Sequence, residues 1–111
     1  MPHYMFQARY TSDAIKAMID NPQDREAGAR PLIEAMGAKL HSFFFCMGQD
    51  DVVAIIEAPD DEAMAAASLI IGGSGAFSGG ATTKLMTAPQ AMSAMQKAQA
   101  GRASYKPVTG S

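Results

Sequence analysis

Side chains that could bind a ligand or move a proton are predicted to share one face of three strands. On the first strand His3, Gln7 and Arg9 alternate with other residues, so their polar groups point the same way. On the second strand His41 is predicted to share this face with the residues two and four positions further along. The predicted ligand-binding residues are His3, Gln7, Arg9, Phe43, Phe45 and Lys84, with Met47, Thr82 and Met86 beside them.

An apolar surface onto which a few polar groups converge is the usual form of a small-molecule site. The pattern therefore favours an apolar or aromatic ligand at this face. The alternative is a contact between subunits, with the polar groups in water at its edge. His41 is the best candidate for acid–base catalysis, because an imidazole ordinarily titrates near neutral pH. The competing interpretation of His41 is a solvent-exposed histidine at the start of a strand.

Metal binding is not expected from the sequence. The two histidines, Cys46 and Asp50 could supply ligands, but their spacing matches no compact ligand pattern. A single cysteine on a strand is usually a small core residue. The sequence therefore predicts no metal site and no cofactor.

Charge and glycine spacing exclude further function classes. The formal net charge of -2 argues against nucleic-acid binding, which usually requires a strongly basic surface. No apolar run approaches the roughly 20 residues of a membrane-spanning helix, so no membrane partner is expected. The glycine-rich segment 72–80 follows a predicted helix and precedes a strand, which is the wrong order for a phosphate-binding or dinucleotide-binding loop. It is interpreted as a connector.

Length and composition indicate one folded unit in a reducing compartment. The chain has 111 residues, of which 48% are hydrophobic and 18% charged, enough for a core of its own. A single cysteine forms no intrachain disulfide, and the first residues show no secretory signal. A cytoplasmic location is expected.

The pattern of apolar residues and capping signals predicts a β-α-β-β-α-β order, the split arrangement of ferredoxin-like α+β domains. Asn21 is expected to cap the second helix, Pro31 to kink or restart it, and Gly37 to end it. Residues 101–111 are expected to form an extended tail. The predicted strands are 3–10, 39–47, 51–57 and 81–86, and the predicted helices are 14–20, 22–36, 61–71 and 89–98.

Three consecutive phenylalanines, Phe43 to Phe45, place bulk on both faces of the second strand. Helices can cover only one of these faces. We expect a second copy of the chain to cover the other, so the sequence predicts a homo-oligomer.

Three segments resemble the GYD-domain family: GAKL at 37–40, MGQDDVVAIIEAPDDEAM at 47–64 and ATTKLMTAP at 81–89. The resemblance covers residues 1–90 and implies a ferredoxin-like fold of the dimeric α/β barrel type, with 91–111 as a C-terminal extension. The family is named for a Gly-Tyr-Asp turn, which corresponds here to Gly48, Gln49 and Asp50, so Gln49 replaces the tyrosine. The family has no assigned function and supplies no catalytic residues.

Three functions remain open at this point. The first is a small homo-oligomeric binding or accessory protein with an apolar or aromatic ligand in a sheet-face cavity. The second is a structural subunit of a larger assembly, joined through the tail 96–111. The third is a dimeric-barrel enzyme, similar to a cyclase or monooxygenase, with His41 as acid or base.

Overall fold

The computed structural model describes residues 1–110 and has the predicted β-α-β-β-α-β order, with one further helix at the C-terminal end. The described elements are β1 (His3–Tyr10), α1 (Ser12–Asp20), α2 (Arg25–Ala35), β2 (Lys39–Phe45), β3 (Val52–Glu57), α3 (Asp61–Gly72), β4 (Phe77–Leu85), α4 (Ala88–Gly101) and a short 3-10 turn, Arg102–Ser104. The ferredoxin-like α+β prediction is confirmed.

The four strands form one antiparallel sheet in the order β2-β3-β1-β4. Helices α2 and α3 cover one face of it, which we term the helix-side face. On the opposite, open face Met5, Val53 and Ile55 remain only partly buried in the single chain. The hydrophobic core on the helix side contains Tyr4, Ile33, Ala38, Leu40, Ala54, Ile56, Ala58, Met64 and Ala67.

Local capping chemistry explains where the helices begin and end. The side chains of Thr11 and Asp60 accept hydrogen bonds from the first turns of α1 and α3. Gly37 follows α2 with a φ of 74°, a conformation that glycine adopts without strain. The prediction for the start of α2 was wrong. Asp24, rather than Asn21, caps this helix, because its carboxylate accepts the N–H of Ala27.

Helix α2 runs through Pro31 without interruption from Arg25 to Ala35, so no restart occurs there. The second strand ends at Phe45 rather than at residue 47, and the fourth begins at Phe77 rather than at residue 81. The fourth strand is longer because its pairing with β1 continues through the glycines. A Cβ atom at Gly80 would lie 2.3 Å from the carbonyl oxygen of Gln7, so this close pairing requires glycine. Part of the predicted connector is therefore strand.

A β-bulge in β2 decides which phenylalanine faces which side of the sheet. The pairing of β2 with β3 shifts between Leu40 and Ser42, so His41 is the extra residue. Beyond this point the alternation of side chains is reversed relative to an unbroken strand. Phe43 and Phe45 pair with Ala54 and Val52, whose side chains are buried on the helix side.

Helix α4 extends away from the sheet. It begins with a capping box between Thr87 and Gln90 and buries none of its side chains within the described residues 1–110. Met92 and Met95 are exposed on it. The described chain measures 60 × 32 × 22 Å, and this helix accounts for much of the long dimension. The prediction of an extended tail over 101–111 was wrong at its start, because Gly101 ends α4 and Arg102–Ser104 form the 3-10 turn. Residue 111 lies outside the described residues.

Candidate functional site

The predicted ligand-binding residues are divided between the two faces of the sheet. His3, Gln7 and Arg9 lie on the open face, because they alternate with the buried residues of β1. Phe43 and Phe45 do not join them, since the bulge at His41 turns both toward the helix side, where Phe43 packs on the core and Phe45 stacks with Tyr10. The prediction that these groups share one face was wrong.

Lys84 also lies on the helix side. It pairs with Tyr4, and its Nζ atom lies 2.9 Å from Asp61 Oδ1 at the start of α3. Thr82 lies on the same side, where its hydroxyl bonds Ser68 of α3. The sequence predicted that Thr82, Lys84 and Met86 of the fourth strand extend the face that carries His3. The predicted strand began at residue 81, and the sequence did not determine how it pairs with β1. Its open-face positions are Ala81, Thr83 and Leu85.

A cluster of two histidines and a glutamate lies at one end of the open face, on three adjacent strands. The Nε2 atom of His41 donates a hydrogen bond to Glu57 Oε1 at 2.8 Å, because a carboxylate can only accept. His3 Nε2 lies 3.9 Å from the same oxygen, and the two imidazole rings stack with centroids 5.8 Å apart. Cys46 and Asp50, the other possible ligands considered from the sequence, are not part of this cluster.

The environment of Glu57 favours its ionised form. The hydrogen bond from His41 lowers the pKa of the Glu57 carboxyl, and the nearby positive charges of His3 and the chain's amino terminus lower it further. Partial burial opposes this shift. The cluster therefore presents an ionised carboxylate beside two imidazoles, a set suited to proton transfer or to a metal ion.

The Gly48–Asp50 turn lies near the opposite end of the sheet. The N–H of Cys46 donates to the carbonyl oxygen of Asp51 at 2.7 Å, which closes the loop between β2 and β3. Arg9 donates to Asp50 Oδ1 at 3.1 Å, and Asp51 Oδ2 accepts the backbone N–H of Tyr10 at 2.9 Å. Both aspartates thus fix the loop against β1, while Gln49 is exposed at its tip.

A cavity of about 280 Å³ lies between the sheet and helices α2 and α3. Aliphatic and aromatic side chains supply most of its wall, and the residues with polar side chains at it are Tyr10, Arg25 and Ser74. Its apolar wall includes Phe6, Ala29, Leu32, Ile33, Leu40, Phe43, Ala54, Ile56, Ile71 and Phe77. The ligand was predicted on the other face of the sheet, and of the predicted ligand-binding residues only Phe43 lines this cavity.

Arg25 is held at this cavity by its neighbours. Its Nη1 atom donates to Gln23 Oε1 at 2.8 Å, and its guanidinium lies over Gly28, where a Cβ atom would come within 2.6 Å of it. Burial raises the pKa of the Tyr10 hydroxyl, while a hydrogen bond from Arg25 lowers it in part. The cavity therefore combines apolar walls with the positively charged guanidinium of Arg25 and the neutral hydroxyl of Tyr10.

A second cluster of polar side chains connects β1, β4 and α3. Tyr4 donates to Asp61 Oδ1, which also pairs with Lys84. The bond to Asp61 and the burial of the ring raise the pKa of Tyr4 to about 12. The same bond and Lys84 lower the pKa of Asp61 below its usual 3.8. Because this contact favours ionised Asp61 in the folded state, its stabilisation is present above pH 3.8 and is lost as the pH falls further.

We therefore expect Asp61→Asn to weaken the acid dependence of stability. Between pH 6 and pH 3 the free energy of unfolding should fall more in the wild type than in the variant. In this range unfolding of the wild type is coupled to proton uptake by Asp61, and the variant has no carboxyl there. Urea midpoints at the two pH values measure the difference. Asp13→Asn, at an exposed position in the first turn of α1, is the control. Equal acid losses in wild type and Asp61→Asn would contradict the assignment.

Comparison with known proteins identifies the family. The family model described as GYD domain matches residues 4–95. The chain belongs to the GYD domain family. No curated protein matches the chain.

This GYD protein is similar in fold to the crystal structure of MtbAldR, with a TM-score of 0.54 and 20% sequence identity. The similarity covers 78% of this chain and 52% of that one, so the GYD protein spans about half the length of MtbAldR. At this identity the likeness shows the fold alone. Among the described residues 1–110, no helix combines the length and apolar character needed to cross a bilayer.

Proposed function

We propose that this GYD-family protein is a homo-oligomeric binding protein that holds a small apolar or aromatic acid in the cavity between its sheet and helices. The observation that carries the proposal is the apolar wall of this cavity with Arg25 fixed at it. Most small-molecule sites are concave and apolar, with a few placed polar groups that orient the ligand.

The size and charge of the cavity limit the class of ligand. An apolar cavity of about 150 Å³ accommodates benzene, so about 280 Å³ has room for a two-ring or medium-chain molecule. A carboxylate is the group that best matches a guanidinium, since the two can form paired, charge-assisted hydrogen bonds. The Tyr10 hydroxyl can supply a further donor to the same oxygen atoms.

The direct experiment is titration calorimetry with 2-naphthoate, octanoate and the neutral 2-naphthol. We expect the carboxylates to bind and Arg25→Gln to weaken them about 10- to 100-fold, because a hydrogen bond to a charged group contributes about 1.5–3 kcal/mol. Binding of 2-naphthol should change little. Arg30→Gln is the matched control, because Arg30 lies on the same helix but pairs with Glu26. Equal carboxylate affinities in wild type and Arg25→Gln would refute the ligand class.

The open face supports the homo-oligomer part of the proposal. A sheet covered on one side only leaves a second apolar layer without a partner. Val53 and Ile55 from β3, Met5 from β1 and the 65% exposed Phe44 from β2 supply this layer. A second copy offers a complementary sheet, and sheets commonly pack face to face.

The area of this face indicates that α4 belongs to the same contact. Four strands of this length present roughly 450 Å² of sheet, whereas stable interfaces bury about 800 Å² on each partner. Helix α4, whose apolar side chains are exposed beyond β4, can supply much of the difference by packing on the second copy.

The same exposed helix supports the second candidate function, a structural subunit that joins a larger assembly through the C-terminal tail. Deletion of residues 96–111 tests that role: unchanged oligomer size and partners would reject it.

The pairing of His41 with Glu57 supports the enzyme alternative. A carboxylate that accepts from an imidazole fixes the ring's orientation, as a general base requires. His41→Ala tests this role once a substrate is known, and unchanged turnover would remove it.

A further inference from the structure

We propose that His3, His41 and Glu57 form a binding site for a divalent transition-metal ion, with Zn²⁺ as the best-fitting ion. The ligands would be one nitrogen from each imidazole and one carboxylate oxygen. These three residues lie on β1, β2 and β3 and face the open side of the sheet. The proposal does not depend on the ligand cavity on the other side.

The distances between the candidate ligand atoms fit a zinc site. All three atoms lie within 4.8 Å of one another, with 2.8 Å from His41 and 3.9 Å from His3 to the shared glutamate oxygen. In a tetrahedral site with bonds of about 2.1 Å, neighbouring ligand atoms are roughly 3.4 Å apart. The observed values bracket this spacing, so small side-chain rotations suffice to enclose an ion.

The sheet holds the three residues in place. His3 pairs directly with Glu57, and Glu57 pairs on its other side with Lys39, next to the bulge. His41 follows the buried Leu40, so regular alternation places its imidazole on the open face. The bulge at His41 then reverses the phase of the later residues of β2, so that Phe43 packs against the core while His41 stays in the cluster.

The chemistry of the ligands selects the ion. Imidazole nitrogens favour zinc, copper, iron and nickel, whereas magnesium and calcium prefer oxygen ligands. Imidazoles bind metal ions in their neutral form, so with one carboxylate the ligand set carries a single negative charge when it holds the ion. Three protein ligands leave one position of a tetrahedron for water. In the single chain their side chains are 20–43% exposed, and the cluster lies at one end of the open face, where an ion can enter from the edge.

The test is zinc titration by calorimetry, with Co²⁺ absorption as a second readout of coordination geometry. All proteins carry Cys46→Ser, which removes the thiol that could bind either ion elsewhere. We expect one Zn²⁺ per chain, and at least about 100-fold weaker binding in His41→Ala and in Glu57→Gln. Glu34→Gln makes the same charge change on α2, on the other side of the sheet, and should bind as the parent does.

Folding of each variant is verified by circular dichroism. Glu57→Gln keeps the size of the side chain, so it remains informative if His41→Ala fails to fold. Co²⁺ bound by the parent should give the intense visible absorption of a four-coordinate ion, and Glu57→Gln should lose it. Equal zinc affinity in the parent and Glu57→Gln, or an octahedral cobalt spectrum in the parent, would overturn the proposal.

Discussion

Ile55→Lys is expected to convert the proposed homo-oligomer into monomers. Ile55 lies near the centre of the open face on β3, which is an inner strand of the sheet. In a symmetric pair of sheets each copy would bury one lysine without a partner, and an unpaired buried charge costs several kcal/mol. We therefore expect the dissociation constant to rise at least about 100-fold. Sedimentation equilibrium across a concentration series measures the change.

The matched control is Leu69→Lys on α3. Leu69 is 76% exposed on the helix side, so the same type of substitution there should leave the oligomer intact. If wild-type protein is a monomer at micromolar concentration, or if Ile55→Lys sediments as the wild type does, the open face is not the contact between copies.

Ala29→Phe is expected to weaken binding of the proposed ligand. Ala29 lies on α2 at the wall of the cavity, and a phenyl ring placed there occupies much of the space of about 280 Å³. Two-ring carboxylates should then lose at least about 10-fold in affinity, since a protein interior cannot hold both groups at normal packing density. Calorimetry with 2-naphthoate measures this loss.

Ala35→Phe serves as the control for that substitution. Ala35 is exposed at the end of the same helix, so binding and circular dichroism should remain those of the wild type. Full 2-naphthoate affinity in Ala29→Phe would place the ligand outside the cavity.

The order of elements could be predicted because local signals agree with the fold. Thr11 and Asp60 cap their helices, Gly37 ends α2, and the apolar run of β3 belongs to an inner strand of the sheet. Each of these signals depends on a few neighbouring residues. The boundary of β4 was missed because glycines usually break strands, whereas Gly80 allows the close approach of β1.

The site could not be predicted to the same degree, because one extra residue in β2 changes the face of every later side chain. The bulge at His41 leaves no mark in the alternation of LHSFFF, since all three phenylalanines are apolar on either face. Glu57 lies beside His3 and His41 because β3 lies between β1 and β2 in the sheet. Local sequence patterns do not determine this strand order. Small residues such as Gly28 and Ala29 were visible in the sequence, but the gap between α2 and α3 follows from tertiary packing.

In the proposed binding mode the ligand enters the helix-side cavity and not the open face. Ile55 and Ile56 are adjacent in β3 and point to opposite sides, so their methyl groups report on the two sites separately. Methyl NMR spectra with saturating 2-naphthoate are the most direct measurement. We predict large shifts for Ile56 and Ile33 and unchanged positions for Ile55. Shifts at Ile55 with unchanged signals from Ile33 and Ile56 would contradict the account.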